Sequence, residues 1–255
     1  MKIYNNIEIL QVNFTGNTDK VYFPQNSKVA GRKIDEIAFY FAPAESSIIT
    51  SPLDGTVLLD EIDAAKIYAD IVNDDKEILQ HNIPITANSL LNNNVIPVND
   101  VIDLELCAVR YAGDIEDIAG KSLLIYVFYD TVDMADDINS TLQSITIQVP
   151  INSADDIQLS EYIDDYILSS GKTVKAIETL SYGVPFYLDV QDFGGRSFRY
   201  LPWQRMLKPS NDYGVLYKNP IMLSDFNIDF ENSYIIIGAD LNNFVERTIL
   251  LTLYF

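Results

Sequence analysis

Near its end the chain repeats itself. Lys121 to Tyr129 reads KSLLIYVFY, and 126 residues later Arg247 to Phe255 reads RTILLTLYF. The same offset carries Ile102-Asp103-Leu104-Glu105 onto Ile228-Asp229-Phe230-Glu231. Four earlier blocks match in the same order. Gln11-Val12 and Asp19 fall on Gln148-Val149 and Asp156, and Lys33, Ile34 and Ile37 fall on Lys172, Val174 and Ile177. Tyr68 and Asp70 fall on Tyr187 and Asp189, and Asn82-Ile83-Pro84 falls on Tyr200-Leu201-Pro202. Any two apolar strands resemble each other by chance, but an ordered series of blocks points to a duplicated unit. The repeat predicts a first domain over 1–130, a polar, acidic linker over 131–143 and a second domain over 144–255. Each domain has an ordinary size.

Within each unit the signal is β. Short runs recur at 7–14, 33–41, 65–72, 104–111 and 122–129, then at 144–151, 173–180, 185–191, 196–201, 234–239 and 248–255. They are rich in Val, Ile, Tyr, Phe and Thr, which fit a pleated, half-buried surface. Phe186, Leu188 and Val190 alternate with Tyr187, Asp189 and Gln191, the period of a strand with one buried face. Gly194-Gly195 predicts a hairpin between 186–191 and 196–201, and 73–76 holds the matching place in the first unit. About six to eight short strands per unit predict two related antiparallel β-sandwiches in tandem, immunoglobulin-like or jelly-roll. Two acidic stretches, 60–68 and 160–168, have room for a helical turn.

Charge narrows the partners. The chain carries 37 acidic and 17 basic residues, net −20. A nucleic-acid binder needs a basic footprint, and an anionic membrane surface repels a chain of this sign. Neither nucleic acid nor membrane is therefore expected as a partner. No run reaches the roughly 18 apolar residues of a membrane helix. Met1 to Asn6 lacks the apolar core of a signal peptide, so a soluble protein made in a cytoplasm is expected. Cys107 is the single cysteine; inside the apolar run 104–109 it reads as a buried, inert thiol.

The two units differ where residues have been added. The first unit is longer by about twenty residues between its second and third strand runs, as the change of offset shows. There Ile48, Ile49 and Asp54 belong to what reads as an extra hairpin around Pro52 and Asp54-Gly55, either offering an edge to a neighbour or completing its own sandwich. The second unit is longer after 196–201. There Arg196, Arg199, Arg205 and Lys208 are interleaved with Phe198, Tyr200, Trp203 and Met206, and no acid interrupts them. Arg, Trp, Tyr and Met are the residue types enriched at protein interfaces, and an acidic surface, such as the first domain of another copy, would complement this island. The plain alternative is that the aromatics serve the core and the arginines pair locally.

Motifs for common chemistry are missing. His81 is the only histidine and lies at a strand end. There is no Gly-x-Ser-x-Gly elbow, phosphate loop or zinc-ligand spacing. Asp130, Asp133, Asp136 and Asp137 cluster, but without the glycine and terminal glutamate of a calcium loop they read as a solvated linker. No enzyme activity, cofactor or metal is expected.

Three segments carry a resemblance. Lys33-Ile34-Asp35-Glu36-Ile37-Ala38-Phe39-Tyr40, Ser51-Pro52-Leu53-Asp54-Gly55-Thr56 and Ile228-Asp229-Phe230-Glu231-Asn232-Ser233-Tyr234-Ile235 resemble segments of virion structural proteins of tailed bacteriophages, particularly crAss-like phages of gut Bacteroidetes. The Asn-, Ile-, Asp- and Tyr-rich style is similar as well. The resemblance implies a β-rich capsid, portal-ring or tail component. Its partners would be other virion proteins and copies of itself, in the host cytoplasm during assembly and in the virion afterwards. Two other classes are weighed against it: a carbohydrate- or receptor-binding module using Trp203 and Tyr200, and a hydrolase using paired carboxylates.

Overall fold

Apolar residues, at alternate positions in most runs, make each run a strand, and among the described residues the strands pair into four sheets of four and one sheet of two. The computed structural model describes residues 2–3, 6–44, 48–92, 94–130, 132–133, 144–151, 156–163, 173–180, 184–202, 221–245 and 247–255. They form two compact units, Ile7–Asp130 and Thr131–Phe255 together with Met1–Asn6.

The N-terminal sandwich contains β2 (Asn6–Asn13), β3 (Lys20–Tyr22), β4 (Lys33–Tyr40), β5 (Ile67–Val72), β6 (Ile78–Pro84), β7 (Ile96–Val101), β8 (Ala108–Tyr111) and β9 (Ser122–Tyr129). Its sheets have the orders β2-β9-β4-β7 and β3-β8-β5-β6. The chain crosses between the sheets at nearly every connection, the winding of a jelly roll. The C-terminal sandwich contains β11 (Ser144–Pro150), β12 (Asp156–Gln158), β13 (Val174–Leu180), β14 (Phe186–Gln191), β15 (Ser197–Pro202), β16 (Ile221–Phe226), β17 (Tyr234–Ile237) and β18 (Thr248–Tyr254). Its sheets, β11-β18-β13-β16 and β12-β17-β14-β15, repeat the winding strand for strand. The all-β fold is thus a pair of antiparallel sandwiches, and of the two expected topologies the strand order is that of the jelly roll.

The registers agree as well. Ile37 faces Val127 as Ile177 faces Leu253, and Tyr68 faces Arg110 and Pro84 as Tyr187 faces Ile236 and Pro202. One aligned position shifts. Lys20 faces Arg110 where Asp156 faces Ile236, so Lys20, not Asp19, is the counterpart of Asp156. Lys172 lies outside the described residues.

Two boundaries differ from the sequence reading. The first six residues cluster with the C-terminal unit because β1 (Lys2–Ile3) pairs antiparallel with β10 (Val132–Asp133). Those two residues of β10 are all that is described of the expected linker, so Asp136 and Asp137 fall outside. The helical turns materialise as α1 (Glu61–Ala64) and a 3₁₀ turn at Leu159–Tyr162. Asp60 caps α1, its Oδ1 accepting from the N–H groups of Ile62 and Asp63, both at 2.9 Å.

The core of the N-terminal sandwich lies between its sheets. Val12, Ile34, Ile37, Ile125 and Val127 come from one side, and Ile67, Ala69, Ile71 and Val109 from the other. β9 is buried at all eight positions, whereas β18 is buried only at alternate ones. A strand buried on both faces reads as a continuous apolar run, which is the difference between KSLLIYVFY and RTILLTLYF. In β14, Tyr187 departs from the expected polar face and is buried. A Cβ at Gly238 would stand 2.7 Å from its ring, so the glycine is what lets the ring lie there.

Cys107 is fully buried, with the Val72 N–H donating to its Sγ at 3.3 Å and the thiol donating back to the Val72 carbonyl at 3.4 Å. Burial pushes the thiol up to about 12. A thiol reagent at pH 8 is therefore expected to label Cys107 only after denaturation; prompt labelling of the native protein would contradict the burial.

Both sandwiches bulge at the same place on their edge strands. His81 and Asn82 together oppose Asp70, and Arg199 and Tyr200 oppose Asp189, where the registers shift. Asn82 and Tyr200 take left-handed conformations, φ 53° and 54°. Asn tolerates that region, whereas a β-branched residue pays about 1–2 kcal/mol for it. Asn82→Val is expected to lower stability by about that amount and Asn82→Gly to leave it nearly unchanged, read from urea unfolding midpoints.

Candidate interaction surfaces

The basic island separates by the alternation of β15. Phe198 points inward, 2% exposed, and its ring centroid lies 5.1 Å from that of Phe226. This corrects its assignment to a partner interface: alternation places Phe198 on the core side and Arg199 outside. Arg196 is exposed but engaged within its own turn. Its Nε donates to Asp192 Oδ2 at 2.6 Å, and its guanidinium lies 5.5 Å from the centre of the Phe226 ring. Arg199 is exposed beside Asp189, whose carboxyl burial raises and the Arg199 charge partly draws back down. Tyr200 is half-buried at the bulge. Trp203, Arg205, Met206 and Lys208 lie outside the described residues. What is described of the island thus favours local pairing for Arg196 and Arg199.

The added stretch of the N-terminal sandwich is held against its own sheet. Thr50 bridges Val57 antiparallel and Leu58 bridges Ser122 in parallel. The Leu59 N–H donates to the Ser122 carbonyl at 2.9 Å, and the Ala42 N–H to the Leu59 carbonyl at 2.7 Å. Ile49 is 3% exposed, buried rather than presented on an outward edge, which corrects its placement at an interface. Asp54 is exposed but anchored: its carboxylate accepts from Gln11 Nε2 at 2.6 Å, Thr56 Oγ1 at 2.6 Å and the Thr56 N–H at 3.0 Å. Partial burial raises its pKa, but these hydrogen bonds outweigh that effect and leave the group below the usual carboxylate range. Ile48 and Leu53 remain exposed.

Sequence reasoning placed the hairpin turn that leads into β15 but missed what holds it and what it displays. Asp192 is buried and supports it from below, its Oδ1 accepting from the Arg196 N–H at 2.7 Å. The backbone closes with Asp192 N–H to Arg196 carbonyl at 2.8 Å and Gly195 N–H to Asp192 carbonyl at 3.0 Å. The N-terminal sandwich builds the same frame around Asn73. The Glu77 N–H donates to Asn73 Oδ1 at 2.8 Å, and the Asn73 N–H to the Glu77 carbonyl at 3.0 Å. Lys76, φ 65°, takes the left-handed position that Gly195 fills at φ 83°. On one frame, Asp74-Asp75-Lys76 stand at the tip; on the other, Phe193-Gly194-Gly195. The signal was present, since Gly194-Gly195 marked the hairpin, but a tip residue has no periodicity to expose it.

The remaining candidate groups are plain. His81 is exposed on β6 with Nδ1 2.9 Å from Asp70 Oδ1. Among the described residues, no group of three or more His, Cys, Asp or Glu is placed to hold a metal ion. Comparison with known proteins finds no matching family model, no matching curated protein and no matching solved structure.

Asp192→Ala is expected to cost about 1–3 kcal/mol, because it leaves the Arg196 N–H and guanidinium without their acceptor. Asp192→Asn should cost less, since Asn73 already performs the backbone part of this role. Thermal unfolding of the two variants reads the difference.

Proposed function

We propose that the chain is a non-enzymatic structural protein of a tailed-bacteriophage virion, a capsid-decorating, portal-ring or tail-hub component that works through protein–protein contacts. One observation carries the reading. Two sandwiches share a frame down to single backbone hydrogen bonds, yet differ in what their turns and outer positions display. A kept frame with divergent surfaces suits a molecule that meets different neighbours through its two halves. Jelly rolls build both viral capsid and lectin domains, so the fold by itself does not choose between them. The resemblance of 33–40, 51–56 and 228–235 to virion proteins weighs toward the capsid side. The net charge of −20 suits an assembly protein that must avoid non-specific association before it reaches its place.

Quantitative mass spectrometry of purified particles tests the reading, and the chain is expected in them at fixed stoichiometry. About a dozen copies per particle mark a closed ring, and on the order of hundreds mark the shell. Absence from particles overturns the virion reading. It would leave carbohydrate or receptor binding as the next candidate, to be checked by loss of glycan-array binding in Trp203→Ala.

A further inference from the structure

Asp54-Gly55 is the one Asp-Gly pair in the chain, and there is no Asn-Gly pair. A pair of this kind rearranges slowly in a free peptide. The glycine nitrogen loses its proton and attacks Cγ of the aspartic acid. An N–C bond forms, the carboxyl C–O bond breaks and water leaves, closing a five-membered succinimide. Water then reopens the ring at either carbonyl. One opening restores aspartate; the other leaves isoaspartate, in which the main chain runs through the former side-chain carboxyl. No oxidant, reductant or other reactant is consumed. Glycine favours the attack because no Cβ shields its nitrogen.

The fold opposes each requirement of that reaction. The nitrogen must be free, yet the Gly55 N–H donates to the Ser51 carbonyl at 2.9 Å. Cγ must swing over that nitrogen, yet both carboxylate oxygens are held. Oδ1 accepts from the Thr56 N–H at 3.0 Å and from Thr56 Oγ1 at 2.6 Å. Oδ2 accepts from Gln11 Nε2 at 2.6 Å, with Asn13 Nδ2 at 3.4 Å. The carboxyl must carry a proton for water to leave. Partial burial favours that proton, but the hydrogen bonds outweigh burial and hold the group below the usual carboxylate range. Gln11 is itself fixed, since Ser51 Oγ donates to its Oε1 and its Nε2 donates to Asn13 Oδ1 at 2.7 Å.

Part of this hold is borrowed. Gln11 and Asn13 stand on β2, 43 and 41 residues from Asp54. They reach the carboxylate only while the added stretch lies against its sheet. Leu53, Asp54 and Gly55 are exposed at its tip, and exposed segments open locally at less cost than the whole fold. We propose that Asp54 is a site of isoaspartate formation gated by the docking of residues 50–58: the bond persists while they are docked and rearranges when they lift away. The modification adds a methylene to the main chain and moves the carboxylate off its partners, so it leaves a covalent record that the stretch has opened.

Prolonged incubation of the purified chain at physiological temperature and pH tests this. Isoaspartate at residue 54 is read by fragmentation mass spectrometry of the tryptic peptide 34–66, and a synthetic peptide of residues 49–58 gives the unprotected rate. The folded wild type is expected to form isoaspartate about tenfold or more slowly than the peptide, the factor that one or two hydrogen bonds supply. Gln11→Ala with Asn13→Ala removes the hold from β2 and is expected to bring the folded chain most of the way to the peptide rate. Thr56→Val keeps the backbone bonds, removes only the hydroxyl, and should move the rate in the same direction. Circular dichroism confirms that each variant is folded. A folded wild type that forms isoaspartate at the peptide rate overturns the proposal, and so do folded variants that form it no faster than wild type.

Discussion

Each sandwich is closed by its own last strand. β9 runs between β2 and β4, and β18 runs between β11 and β13, with seven consecutive residues in unbroken register along β11. The first strand of a unit therefore has no sheet to join until the last one arrives. This non-local pairing is costly in chain entropy and slow to form. The other strands depend on it for their places, because removing the closing strand separates β2 from β4. In β9 the constraint is double, since both faces are buried as well as both edges paired. Position by position, the closing strands are where the sequence has least freedom, and it is there that the two halves of the chain remain most alike.

That constraint explains what was legible. Every strand with two neighbours showed in the sequence: β4, β5, β8 and β9, then β13, β14, β17 and β18. Within the sandwiches the strands that escaped were β3, β6, β7, β12 and β16, and each is an edge; the short β1 and β10 escaped as well. An edge strand needs only one pairing partner. It can be three residues long, as in Lys20–Tyr22, or polar and proline-bearing, as in Ile78–Pro84 and Ile96–Val101. Such features blunt an open edge against pairing with another chain, and they also remove the apolar alternation by which a strand is read. The bulge shared by β6 and β15 belongs to the same defence: a left-handed residue two positions before a proline turns both edges away from simple strand addition.

The candidate surfaces were less legible for a related reason. Composition drew Arg196, Phe198 and Arg199 together, but alternation along β15 sends Phe198 into the core while the arginines face carboxylates of β14 and its turn. Ile49 and Asp54 went the same way, one into the core and the other into a net of side chains from β2 and Thr56. What sets the two halves apart is carried instead by single residues on a common support. Asp74 and Phe193 occupy one geometric position with opposite chemistry, and no pattern longer than a residue announces either.

The pairing of β1 with β10 has a mechanical meaning. The chain enters the N-terminal sandwich immediately after β1 and leaves it immediately before β10, so the whole of Ile7–Asp130 hangs as a loop from a two-stranded clasp. Tension between residues 1–6 and the C-terminal sandwich meets the clasp before it can reach the strands beyond. Until those few hydrogen bonds part, the N-terminal jelly roll bears none of the pull.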